Sequence, residues 1–142
     1  MADLRVFLDA NVLFTAAYSP EGLSALLIEL GAAGRVTLLT SPLAIVEAER
    51  NLEVKRPGAL STLRRGLTAV RIVSEPPPAE VERLTPPELS SKDRPLLAAA
   101  IVARATHFVT GDLADFGRWM HRPARLSLRV MTPRQFLTEV RP

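Results

Sequence analysis

The 142-residue sequence contains no cysteine. Disulfides, thiolate nucleophiles and cysteine-ligated zinc are excluded together. Lysine is nearly absent as well: of 18 basic residues only Lys55 and Lys92 are lysines, and the rest are arginines. No apolar run approaches the ~18 residues that a membrane-spanning helix needs, so no membrane association is expected. The N-terminal MADLRVFLDA places acids and an arginine where a secretory signal would be apolar, so a cytoplasmic location is expected. Aspartate is also scarce, at Asp3, Asp9, Asp93, Asp112 and Asp115.

What is present is globular in composition. Hydrophobic residues make up 47% and charged residues 23%, in a length that suits one domain, residues 1–142. The net charge is +3. Short apolar, β-favouring runs occur at Leu4–Leu8, Val36–Thr40, Val70–Val73, His107–Thr110 and Leu128–Met131. Between them lie helical patterns. One covers Asn11–Tyr18 and one Leu23–Ala33. Another runs from Ser41-Pro42 to Lys55, where serine can cap and proline suits the first helical position. Leu60–Leu67 is expected to be a short helix. Residues 75–90 hold five prolines and read as a loop, with one helical turn near Val81–Leu84. Ser91 opens a helix apolar nearly all round, and Thr132-Pro133 caps a last helix to about Val140. Apolar strands alternating with helices predict an α/β fold, a four- to five-stranded parallel sheet flanked by helices. Ligands of such sheets bind beyond the carboxyl ends of the strands.

Four acids fall at element ends or helix starts: Asp9 in FLDAN, Glu47 in SPLAIVEAERNL, Asp93 in SSKDRPLLAAA and Asp112 in VTGDLADF. Asp115 follows three residues later. Each aspartate taken singly is a reasonable helix cap. Taken together they form a set of hard oxygen donors suited to Mg²⁺ or Mn²⁺, which would otherwise repel one another. On a helical wheel Glu47 lies near Leu43, Val46 and Val54, whereas Glu49 points about 160° away. An acid within an apolar stripe is the odder placement, which favours Glu47, although the wheel alone does not decide because Ile45 and Leu52 lie near Glu49.

The ordered set RVFLDANVLFTA, LLTSPLAIVEAERNL and SKDRPLLAAAIVARATHFVTGDLADF resembles the PIN-domain nucleases. The likeness is to the bacterial and archaeal, VapC-like branch of toxins from toxin–antitoxin pairs. It runs over nearly the whole chain, although Pro57–Glu88 carries no motif. The resemblance implies a metal-dependent endoribonuclease that hydrolyses single-stranded RNA. It implies catalytic and metal-holding roles for Asp9, Glu47, Asp93 and Asp112, with Asp115 a further metal position. Asn11 and Thr110 match polar positions that support the acids, and Ser41 is a third candidate. Ala10 departs from the pattern, standing where Thr or Ser is common. A cognate antitoxin and a homodimer are the implied partners.

Other features weigh less. His107 and His121 lack metal-binding partners at useful spacing and read as structural. Trp119 and Met120 read as packing residues. Arg118, Arg122, Arg125 and Arg129 form one basic stretch, and Arg64, Arg65 and Arg71 another. Setting four of the 15 acids aside as ligands leaves 11 against 18 basic residues, a balance that suits a polyanionic substrate. Phosphoryl transfer through an aspartyl phosphate at Asp9 fits less well, because Asn11 stands where a second acid would be expected. A PIN-like module that binds RNA or protein without cutting is the alternative.

Overall fold

A computed structural model describes residues 3–120 and 126–140. The elements run β1 (Arg5–Leu8), α1 (Ala10–Tyr18), α2 (Leu23–Ala32), β2 (Thr37–Thr40), α3 (Pro42–Lys55), α4 (Leu60–Leu67), β3 (Val70–Ile72), α5 (Pro78–Leu84), α6 (Arg94–Val102), β4 (His107–Val109), α7 (Leu113–Phe116), β5 (Arg129–Met131) and α8 (Pro133–Glu139). The five strands form one parallel sheet in the order β3-β2-β1-β4-β5. Helices flank the sheet, as the alternating pattern predicts. Among the described residues no helix is long and apolar enough to cross a membrane.

The strands are short because each needs only a few apolar residues to fill a sheet covered on both faces. Val6, Phe7 and Leu8 of β1 and Phe108 and Val109 of β4 are fully buried. Phe7 pairs with Phe108 in register, and their rings stack at 5.5 Å. Phe116 extends the stack, with its ring 4.8 Å from that of Phe108. In α6, Leu96 to Ala100 are all buried, and the alanines let this helix lie close to the sheet.

Two helix ends use left-handed residues. Gly34 (φ 74°) follows α2, where Arg35 N–H donates to the Leu30 carbonyl at 3.0 Å. Arg104 (φ 60°) follows α6, where Ala105 N–H donates to the Ala100 carbonyl at 2.9 Å. Both bonds close the carbonyls that a helix end leaves open. At Arg104 a side chain occupies the conformation glycine usually takes.

Two expectations need correction. The buried face of α3 consists of Ala44, Ala48 and Leu52, whereas Leu43, Val46 and Val54 are exposed. The stripe that set Glu47 apart on the wheel therefore faces solvent, because the small alanines make the close contact. The stretch 75–90 also holds more helix than the one turn expected, since α5 runs from Pro78 to Leu84; after Asp112 the chain forms α7 and then a 3-10 turn over Gly117–Trp119. Trp119 is buried in the core, as its reading as a packing residue requires.

The topology fixes where a ligand can sit. From β1 the chain builds outward through β2 to β3, then returns to place β4 on the other side of β1. The strand order reverses between β1 and β4. A parallel sheet opens a crevice at such a point, beyond the carboxyl ends of its strands. Asp9 and Thr110 are the residues that follow these two strands.

Candidate functional site

Asp9 sits at the base of that crevice and is 2% exposed. Its backbone N–H donates to the Val109 carbonyl at 3.0 Å, which continues the sheet by one bond. Its side chain caps α1: Oδ1 accepts from Ala10 N–H at 2.7 Å. Oδ2 accepts from Thr110 Oγ1 at 2.7 Å and Asn11 Nδ2 at 3.1 Å. Asn11 in turn receives Gly111 N–H at 2.7 Å, and Thr110 receives Asp112 N–H at 3.0 Å. Asn11 and Thr110 thus hold Asp9 in one orientation and tie the loop after β4 to it.

Asp93, Asp112 and Asp115 each bring one carboxylate oxygen to within 4.8 Å of the others. Asp112 caps α7 by accepting from Asp115 N–H at 3.1 Å. Asp93 precedes α6 but makes no capping bond with its side chain. It faces Asp115 instead. Ser90, which sequence reasoning missed, stands between them, with Oγ 3.1 Å from Asp93 Oδ2 and 3.0 Å from Asp115 Oδ2. A hydroxyl has one hydrogen and can donate to only one of these oxygens at a time. Ser90 lies 25 residues from Asp115, so only the folded chain reveals the contact.

Capping and clustering are therefore not rival explanations. Asp9 and Asp112 cap helices and also stand at one rim, while Asp93 belongs to the cluster alone. Glu47, on α3, is partly exposed and pairs with Lys92, Nζ to Oε2, at 3.3 Å. Its charge still acts on Asp9. Ser41 is fully buried, and its Oγ makes no hydrogen bond. It gives the acids no direct support.

The electrostatics register the crowding. Burial pushes the Asp9 carboxyl up to about 6; bonds from Thr110 and Ala10 oppose this, and the charges of Glu47 and Asp112 add to it. Burial likewise raises Asp93, to about 8, reinforced by its hydrogen bond to Asp115 and by the Asp9 charge. Burial would raise Asp115 too, but the bonds from Asp93 and Ser90 outweigh it and hold Asp115 low. Asp93 and Asp115 behave as a pair that keeps one proton between them.

These shifts make stability depend on pH with a definite sign. A carboxyl raised in the folded state binds a proton that the unfolded chain has released. The stability it contributes is lost as pH rises through the folded value. For Asp93 that loss runs from the unfolded value of 3.8 up to about 8, and between about pH 6.5 and 8 Asp93 carries it with little help from the other shifted groups. In EDTA, urea unfolding is expected to show stability falling by about 1 kcal/mol or more across this range. Asp115 acts only at lower pH. Burial lowers His107, which opposes the trend only below its ordinary value of 6.5. A flat profile above pH 6.5 would contradict the shared proton.

The remaining candidates separate from the rim. His107 is buried, edge-on to Phe136 at 5.1 Å, and packs the sheet as expected. Arg129 pairs with Glu139, and Arg118 lies over Trp119. His121, Arg122 and Arg125 fall outside the described residues. A groove of about 300 Å³ between α1, α2 and α4 is lined by Leu13, Ala16, Ile28, Leu63 and Leu67 and contains none of the site acids.

The fold has solved counterparts. A chain of the VapBC2 structure from Rickettsia felis, described as bound to a DNA fragment from their promoter, superposes with a TM-score of 0.67 at 17% identity, covering 91% of this chain and 98% of that one. PAE2754 from Pyrobaculum aerophilum superposes with a TM-score of 0.64 at 18% identity, covering 97% of each chain. No curated protein matches significantly. At these identities the structural likeness speaks for the fold. The sequence itself matches the PIN domain model over residues 5–114. That span is well over half of the chain, which therefore belongs to the PIN domain family.

Proposed function

We propose that this chain is a divalent-cation-dependent endoribonuclease that hydrolyses phosphodiester bonds of single-stranded RNA and acts as the toxin of a toxin–antitoxin pair. The observation that carries the reading is the convergence of Asp93, Asp112 and Asp115 oxygens within 4.8 Å, beside buried Asp9, at the point where the strand order reverses. The donors are all carboxylate oxygens, the ligand type that Mg²⁺ and Mn²⁺ prefer. Burial holds Asp9 and Asp93 above the usual carboxylate range, and the charges of neighbouring acids add to it, so a cation placed there would relieve both. The residues present fit such a cation.

Asp93, Asp112 and Asp115 are the side chains best placed to hold it, with Asp9 and Glu47 acting from the β1 and α3 sides. Bound there, a divalent cation would supply Lewis acidity toward the phosphodiester and its attacking water. The chain supplies orientation. Asn11, Thr110 and Ala10 fix Asp9, so no freedom is left for it to turn away from an incoming phosphate. Ser90 fixes the spacing of Asp93 and Asp115. The Rickettsia felis relative supports the antitoxin half of the reading, since it was solved as VapBC2 on promoter DNA. The absence of cysteine suits the cytoplasm, where such a toxin would meet RNA.

The test is direct. Purified protein is expected to cut a single-stranded RNA in Mg²⁺ or Mn²⁺ and to stop when EDTA is added. Cutting that continues in EDTA would remove the metal from the proposal. RNA binding with no cutting in either cation would favour the non-catalytic module.

A further inference from the structure

Lys92 is one of only two lysines in an arginine-rich chain, and it directly precedes Asp93. Its side chain is 65% exposed, yet its ammonium is not free in solvent: it lies 3.3 Å from Glu47 Oε2. Among the described residues this is the ion pair that reaches the site acids; the others join Arg83 to Glu80 and Arg129 to Glu139, away from the rim. Partial burial would lower the Lys92 ammonium, but the charges of Glu47, Asp93 and Asp9 outweigh that and raise it. Lys92 also helps to hold Asp115 low. One flexible cation thus acts on four of the five acids.

We propose that Lys92 is the internal counter-ion of this acidic centre: its ammonium occupies Glu47 while no divalent cation is bound, and must release Glu47 when one arrives. Lys92 is on this view a positioning residue that acts through Glu47 and sets how tightly the centre holds its cation. The proposal rests on the reading of the acids as a metal centre. The physical logic is exchange. A lysine ammonium is compact and carried on a flexible stem, so it can neutralise an acid without the directional fork that arginine would impose. A half-exposed pair is also weak, which allows a divalent cation to displace it.

The experiment measures Mn²⁺ binding by calorimetry at fixed pH in wild type, Lys92→Met, Lys92→Arg, Glu47→Gln, Asp112→Asn and the Glu47→Gln/Lys92→Met double variant. Thermal melting of each variant confirms that it is folded. Lys92→Met is expected to bind Mn²⁺ about three- to five-fold more tightly than wild type, the range that a partly exposed ion pair supports. Lys92→Arg, which keeps the charge and adds a fork that grips a carboxylate more firmly, should bind Mn²⁺ no more tightly than wild type. In the Glu47→Gln background, removing Lys92 should tighten binding clearly less, because the ion pair is already broken and only the pull on Asp93, Asp9 and Asp115 remains. Equal tightening in both backgrounds would show that Lys92 acts only through its general field, and would overturn the proposal. So would unchanged affinity in Lys92→Met while wild type binds Mn²⁺ and Asp112→Asn does not; the metal centre would then stand and the counter-ion fall. If wild type takes up no Mn²⁺, the metal-centre reading fails and the proposal with it.

Discussion

Asp9→Asn is expected to lower RNA cleavage by at least ~10²-fold, as removal of a preorganised charged group does elsewhere. The same change is expected to stabilise the cation-free protein by about 1–2 kcal/mol at pH 7. The two effects share one cause. Asp9 is buried, and its carboxyl is pushed up to about 6, so at neutral pH the fold carries a charge that burial opposes. Full relief of that cost would approach about 3 kcal/mol. Asparagine recovers less, because its amide nitrogen would face Thr110 Oγ1 and Asn11 Nδ2, which now donate to Asp9 Oδ2. Its amide oxygen can still accept from Ala10 N–H, so the α1 cap survives. Urea unfolding in EDTA, paired with a cleavage assay in Mg²⁺, reads both quantities. With excess Mg²⁺ in the unfolding assay, wild type should gain more than the variant. A destabilised variant in EDTA would show that the bonds lost from Thr110 and Asn11 outweigh the relief of the buried charge at Asp9. Retained cleavage would take Asp9 out of the catalytic machinery.

The second large effect separates two acids on one helix. Glu47→Gln is expected to cost at least ~10²-fold in cleavage, while Glu49→Gln should stay within a few-fold of wild type. Two residues along a helix turn the side chain by about 160° to the opposite flank. Glu47 lies on the flank where α3 meets Lys92, and its charge reaches Asp9. The buried seam of α3, formed by Ala44, Ala48 and Leu52, runs between the two acids. Cleavage rates of both single variants, each checked for folding, decide the matter. If Glu49→Gln proves the damaging change, the rim includes the other flank of α3. Equal, small losses would leave Glu47 as Lys92's partner and nothing more.

The strands were the most legible part of the sequence. Each expected strand lies within one residue of its observed bounds, because a strand buried on both faces is a short apolar run with little else to mimic it. The pairing of β1 with β4 was not legible, and on it depended whether Asp9 and Asp112 share a rim. α7 escaped notice because Leu113–Phe116 is a single turn, too short for a period and closely followed by Gly117. It is held in place from outside, by Phe116 under Phe108. The reasoning about Glu47 rested on exposed leucine and valine side chains, since a wheel weighs side-chain hydrophobicity and cannot foresee a helix seated on alanines. Asn11 and Thr110 were accessible through the family resemblance. Ser90 was not, because its partner is 25 residues away. Lys92 left one signal, its rarity beside an acid, which composition alone does not raise above an ordinary surface residue.

The bond between Thr110 and Asp9 spans 101 positions of sequence. During synthesis, Asp9 and Glu47 emerge early and Asp93 later, but the strand that locks Asp9, and with it Asp112 and Asp115, follows only from His107 onward. A ribosome adds on the order of 5–20 residues per second, so several seconds separate the first acid from its lock. A nascent or prematurely ended chain that stops before β4 therefore has Asp9, Glu47 and Asp93 but neither Asp112 nor Asp115, and no assembled cluster. The order of the strands acts as a delay line: the acids proposed to hold the cation come together only after Asp115 has been made.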